Sequence, residues 1–229
     1  MRTILVRSAA LGALASLVLA AGAAAQDKAP GPLNAVEVRQ LVERADPADH
    51  ARLGAHFAAL GERYTAEARR HMAMAQSFGV NPNRNLGSSM SAHCKRLADL
   101  NTQFATTVRE LVTYHDKLAV GSPATRPSGG ARFEGGAGAP EPTERELDAL
   151  AAKAGTPAEH RALEEYFLTL AKRYMSAADD HATLAKTYRG TRIAQAAVHH
   201  DRLAALSRNS AKEVTAAAAM HKQLAGVAR

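Results

Sequence analysis

The sequence predicts an all-α protein: a duplicated helical hairpin forming a four-helix bundle with two additional short helices. Three observations lead there. Aromatic residues make up 4% of the 229-residue chain, tryptophan is absent and alanine is abundant, a composition suited to helices rather than a β-sandwich. Residues 34–119 repeat as 143–225. In that repeat DPADHARLGAHFAALGERYTAEARRHMAMA lies over TPAEHRALEEYFLTLAKRYMSAADDHATLA, and SAHCKRLADLNTQFATTVRELVTYHDKLA over AVHHDRLAALSRNSAKEVTAAAAMHKQLA, both without a gap. Apolar residues recur at steps of three and four through the long segments, which marks one buried helical face.

The elements follow in chain order. Residues 1–25 read as a signal peptide: Arg2 and Arg7 precede an apolar run from Ala9 to Ala21, and Ala23-Ala24-Ala25 offers cleavage after Ala25. Export to the periplasm or the exterior is the expectation. Repeat 1 spans 26–120. It opens with a short helix near Asn34–Ala45, where Asn34 and Glu37 form a capping box. A long helix follows from Asp46, with DPAD supplying an N-cap, a proline at the first helical position and an acid at the third. It ends near Gly79, and a second long helix runs from about Ser89 to Val120. Residues 121–142, rich in glycine and proline, read as a linker. Repeat 2, residues 143–229, copies the scheme: Thr143 with Glu146, then TPAE from Thr156, a stop near Gly190, and a last helix from about Arg192 to Val227.

Histidine is the informative residue. Eight of the ten form aligned pairs across the repeats: His50 with His160, His71 with His181, His93 with His199, His115 with His221. His50 and His71 are 21 residues apart and His93 and His115 are 22 apart, spacings that return a side chain close to one helical face. In an antiparallel hairpin His50 is expected to face His115 and His71 to face His93, with His160 facing His221 and His181 facing His199. An up-down-up-down bundle would gather His50, His115, His160 and His221 at one end. The inverted arrangement, which the linker also permits, mixes the two sets. Four imidazoles at one level suit copper, zinc or nickel. Asp49, Glu159, Glu67, Asp179 and Asp180 are the expected partners of the second ring nitrogens. The loop end also carries Cys94, His200, Met72, Met74 and Met90, soft donors suited to Cu(I). The metal candidates are therefore His71, His93, His181, His199, Cys94, His200, His50, His115, His160 and His221. Against them stands a structural reading in which the histidines form hydrogen-bonded core layers and the envelope protein serves a partner. Non-covalent haem between two histidines is a third. His56, aligned with Tyr166, is expected at the surface or boundary.

Composition and motifs exclude several classes. Lys and Arg number 29 against 22 acids; without Arg2 and Arg7 the mature balance is 27 against 22, spread along the helices with no basic cluster for nucleic acid. A single cysteine rules out an intrachain disulfide. No transmembrane segment is expected in the mature chain. No C-x-x-C-H, H-E-x-x-H, G-x-S-x-G or Walker pattern occurs, and the buried stripe lacks the Glu-x-x-His of di-iron bundles. No enzyme is expected.

The runs SMSAHCKRLADL, YHDKLA and RRHMAMA resemble a group of small exported α-helical proteins of proteobacteria. The resemblance covers each repeat. It implies the helical fold and export, and no activity. In that group the His-Cys pair is the standard form, and His200 departs from it in the second copy.

Overall fold

The computed structural model describes residues 33–82, 84–120 and 143–227. The expected leader and linker lie outside them. The described residues form six helices and no strand: α1 Ala35–Arg44, α2 Pro47–Gly79, α3 Arg84–Leu118, α4 Glu144–Lys153, α5 Pro157–Arg189 and α6 Ala196–Val227. None is long and apolar enough to cross a membrane.

The starts follow the sequence signals. Asn34 Oδ1 accepts the Val36 and Glu37 N–H groups at 3.0 Å, while Glu37 reaches back to the Asn34 N–H at 2.8 Å. Thr143 with Glu146 and Thr156 with Glu159 make the same reciprocal box. Each box satisfies donors that a helix start leaves orphaned. Two boundaries differ from expectation. α3 begins at Arg84 rather than near Ser89. Pro82 is the last residue of NPNRN that opposes a helix, so only part of that run acts as a connection. α6 begins at Ala196 rather than Arg192. The Thr191 hydroxyl donates to Tyr188 O at 2.8 Å and accepts the Ile193 N–H at 3.3 Å, holding the connection in a turn.

α2 packs on α3 and α5 on α6 as antiparallel hairpins, and the hairpins meet through α3 and α6. Those two helices are also antiparallel: Glu213 of α6 reaches His93 near the start of α3, and Glu110 of α3 reaches His199 near the start of α6. The core is continuous across the seam. Tyr64 stacks on Phe104 at 4.5 Å, and Phe104 stacks on Tyr174 at 6.3 Å. Phe57, Phe104, Phe167, Leu97, Leu111 and Leu163 are wholly buried. At roughly 1.5–3 kcal/mol per buried large side chain, this stripe carries most of the bundle's stability.

The short helices cross over. α1 packs on α2 and on α5, and α4 packs on α2 and on α5. The Asn81 amide, in the α2–α3 connection, donates to Ala151 O at 3.0 Å and Ala154 O at 3.3 Å at the end of α4. The Arg192 guanidinium, in the α5–α6 connection, donates to Ala45 O at the end of α1. The beginning of each hairpin therefore lies beside the turn of the other. This is the inverted arrangement, and it decides which histidines meet.

Candidate functional site

One end of the bundle joins the open end of hairpin 1 to the turn of hairpin 2. There the His50 and His115 Nδ1 atoms lie 3.1 Å apart, as expected. His115 Nε2 is 2.9 Å from the Tyr188 hydroxyl. One proton must lie in each gap, so Tyr188, His115 and His50 form a single chain with one donor direction. Tyr188 stacks on His200 at 4.9 Å, and His200 Nδ1 lies 3.3 Å from His181 Nδ1. Phe57 stacks on His115 at 5.5 Å and leans on His200 at 5.6 Å.

The opposite end holds His160 and His221, with Nδ1 atoms 3.2 Å apart. Phe167 stacks on His221 at 5.7 Å, and Phe78 fills the place that Tyr188 takes at the other end. Phe78 has no hydroxyl, and His221 Nε2 is without a partner. His71 and Cys94 also belong to this end and are wholly buried. Both ring nitrogens of His71 are unpartnered.

The expected pairing of His71 with His93, and of His181 with His199, is overturned by one residue of register. The buried face of α3 runs through Met90, Cys94, Leu97, Asn101, Phe104, Val108, Leu111 and His115. That of α6 runs through His200, Leu203, Ser207, Ser210, Val214, Ala217 and His221. Both keep strict alternating steps of four and three, the period of a supercoiled seam. Alignment of the histidines across the repeats points to His93 and His199, whereas the buried line passes one residue later, through Cys94 and His200. Asn101 is buried on that line, its amide donating to Leu97 O at 2.9 Å and to the Tyr174 hydroxyl at 3.0 Å.

His93 and His199 sit instead on the α3–α6 seam. His93 Nδ1 lies 2.8 Å from Glu213 Oε2, which also accepts from Arg96 Nε at 2.9 Å. His199 Nδ1 lies 3.1 Å from Glu110 Oε2, with Arg202 at 3.7 Å. The seam thus repeats one His-Arg-Glu group in each direction. Three of the five carboxylates expected behind the buried rings are engaged elsewhere: Asp49 with Arg44, Glu159 with the Gly155 and Thr156 N–H groups, Glu67 with Arg70. His56 is buried rather than at the surface, its Nδ1 accepting the Leu33 N–H at 3.0 Å.

Only His115 stands in the last turn of its helix. A helix terminus favours a charged imidazole, yet burial dominates here. Burial pushes His115 down to about 3, helped by His50 and His56. It pushes His56, His71, His181 and His221 down to about 4. His200 is lowered well below its ordinary value, by burial and then by His181 and His115. His50 and His160 are lowered in the same way. Burial also lifts the Cys94 thiol to about 12. The interior therefore holds neutral imidazoles, each with one lone pair, and a protonated thiol.

Among the described residues no group of three or more His, Cys, Asp or Glu converges in a manner able to hold a metal ion. The histidines meet as pairs, not as quartets. Tyr188, Glu110 and Glu213 are members of these networks that sequence reasoning missed. Tyr188 was reachable from the repeat, as the polar counterpart of Phe78 at the turn. No family model matches the chain, and neither the curated proteins nor the solved structures contain a match.

Proposed function

We propose that this is an exported helical-bundle protein that binds a transition metal ion through its buried histidine pairs. One observation supports the reading above others: in three places the Nδ1 atoms of two buried, neutral imidazoles stand 3.1–3.3 Å apart. Two nitrogens on a tetrahedral ion at bond lengths near 2.0–2.1 Å are about 3.3 Å apart. The pairs are thus preset at a coordination edge. With two protein donors per pair at a tetrahedral edge, a d¹⁰ ion that completes four ligands fits better than one that prefers six, which favours copper(I) or zinc over nickel.

A second reading is favoured by the Tyr188–His115–His50 chain, in which ring nitrogens find protein partners. On that reading the pairs are hydrogen-bonded layers that fix the register of the two hairpins. The two are separated by titrating the untagged mature protein with Cu(I), Zn²⁺ and Ni²⁺ and measuring bound metal. The metal reading expects binding that falls at least tenfold when His160 and His221 are both replaced by leucine. Absence of binding in wild type, or binding indifferent to all three pairs, sinks it.

A further inference from the structure

The geometry points to a thiolate-containing soft-metal site at the turn of hairpin 1, built from His71 and Cys94 with the Met74 and Met90 thioethers one helical turn away, and selective for Cu(I). It rests on the metal-binding reading above and deepens it by naming one site and one ion.

The register places the donors. In hairpin 2, 21 residues up α5 and 21 down α6 lead from the His160–His221 pair to the His181–His200 pair. In hairpin 1 the same two steps lead from the His50–His115 pair to His71 and Cys94. Three of these four levels are direct contacts between ring nitrogens. At the fourth level the register sets the chain's one thiol opposite a histidine, His71, with no hydrogen bond to either ring nitrogen. Met74 stands three residues beyond His71, and Met90 four residues before Cys94. On antiparallel helices both steps lead toward the same turn, by roughly 4.5 and 6 Å. Met74 and Met90 are wholly buried, whereas Met72 is 39% exposed and drops out of the donor set. At the equivalent places hairpin 2 has Leu184 and Ala196, so the soft set belongs to hairpin 1 alone.

A second observation is independent of the cysteine. His71 is 0% exposed, and neither of its ring nitrogens has a hydrogen-bond partner. Its counterpart His181 has His200. A buried polar ring left without partners costs roughly 1–3 kcal/mol, and native interiors seldom tolerate it without a reason. A metal ion accepts the lone pair of His71 and removes half of that deficit. Nitrogen, thiolate and thioether together suit Cu(I) rather than Zn²⁺ or Ni²⁺. Coordination replaces the S–H proton of Cys94: Cu(I) and the thiol give a copper–thiolate bond, and one proton leaves to the solvent, with no change of oxidation state.

The test uses the full mature protein, reduced and anaerobic, titrated with Cu(I) from a competing chelator. Expected are one Cu(I) per chain bound with a sulfur-to-copper absorption band in the near ultraviolet, and release of one proton at pH 7. Cys94→Ser and Cys94→Ala are each expected to lose the band and the proton and to weaken that Cu(I) at least tenfold. Cys94→His, which copies His200, is expected to lose the band yet retain a bound ion. Met74→Leu with Met90→Leu is expected to keep the band and weaken Cu(I) without touching Zn²⁺. Unchanged Cu(I) binding and proton release in both cysteine variants, with the helical circular dichroism intact, overturns this site while leaving the paired histidines as binders. Cu(I) binding in wild type without the band does the same. No uptake of any metal by wild type removes both proposals.

Discussion

Replacing His71 by leucine should stabilise the metal-free protein, and more so in acid. Leucine has a similar volume and leaves no polar atom unpaired in a wholly buried place. At pH 7 the gain is the relief of an orphaned ring, roughly 1–3 kcal/mol. The acid dependence follows from linkage. Folded His71 stays neutral down to about pH 4 because of burial, while in the unfolded chain it protonates near 6.5. Between those values the unfolded chain binds more protons, so stability falls as the pH falls. From pH 7 to pH 5 this amounts to about 2 kcal/mol for one such histidine. Leucine removes that share. With a urea slope of about 2 kcal/mol per molar, the midpoint gap between variant and wild type should widen by roughly 1 M between pH 7 and pH 5. Urea titrations followed by circular dichroism at the two pH values, in the presence of chelator, measure it. A gap that is equal at both pH values, or a variant less stable at pH 7, refutes the picture of an unpartnered neutral ring.

Tyr188→Phe should cost about 1–3 kcal/mol by leaving His115 Nε2 unpaired, and Phe78→Tyr should gain about 1 kcal/mol by giving His221 Nε2 the partner it lacks; thermal melts of both variants check the pair. Wild type as a whole should lose on the order of 5 kcal/mol from pH 7 to pH 5. Five histidines held down to about 3 or 4 contribute at most about 10 kcal/mol, His200, His50 and His160 act in the same direction, and a first proton shared within a His–His pair discounts the total. A flat urea midpoint over that range would contradict this. Glu213→Gln should change stability by under about 1 kcal/mol, with an effect that shrinks in high salt, because the His93–Glu213–Arg96 group is partly exposed. Asn81→Ala should cost about 1–3 kcal/mol and speed amide exchange in α4 first, since its carbonyls lose their buried donor.

The fold was legible because the repeat and the caps are local signals. Asn34, Thr143, Pro47 and Pro157 each announce a helix start within a few residues, and the structure keeps all four. The pairings of His50 with His115 and His160 with His221 were legible too, since length and antiparallel order fix them. The inner pairs were not. A shift of one residue turns a helix by about 100°, and the histidines aligned across the repeats, His93 with His199, stand one residue before the buried line through Cys94 and His200. The direction of hairpin packing was beyond the sequence, because it depends on contacts between distant residues, Asn81 with α4 and Arg192 with α1.

The crossing of the short helices carries a consequence for ancestry and for engineering. Each half finishes its own hairpin with a helix delivered by the other, as two identical subunits would across a twofold axis. A single-repeat ancestor could have assembled as a homodimer of this same shape, and the segment 121–142 then serves to raise the local concentration of one half around the other. Cutting the chain within that segment should leave two fragments that stay together in solution. The differences between the halves, Cys94 against His200 and Phe78 against Tyr188, are what fusion makes available: one chain can tune two formerly identical ends separately.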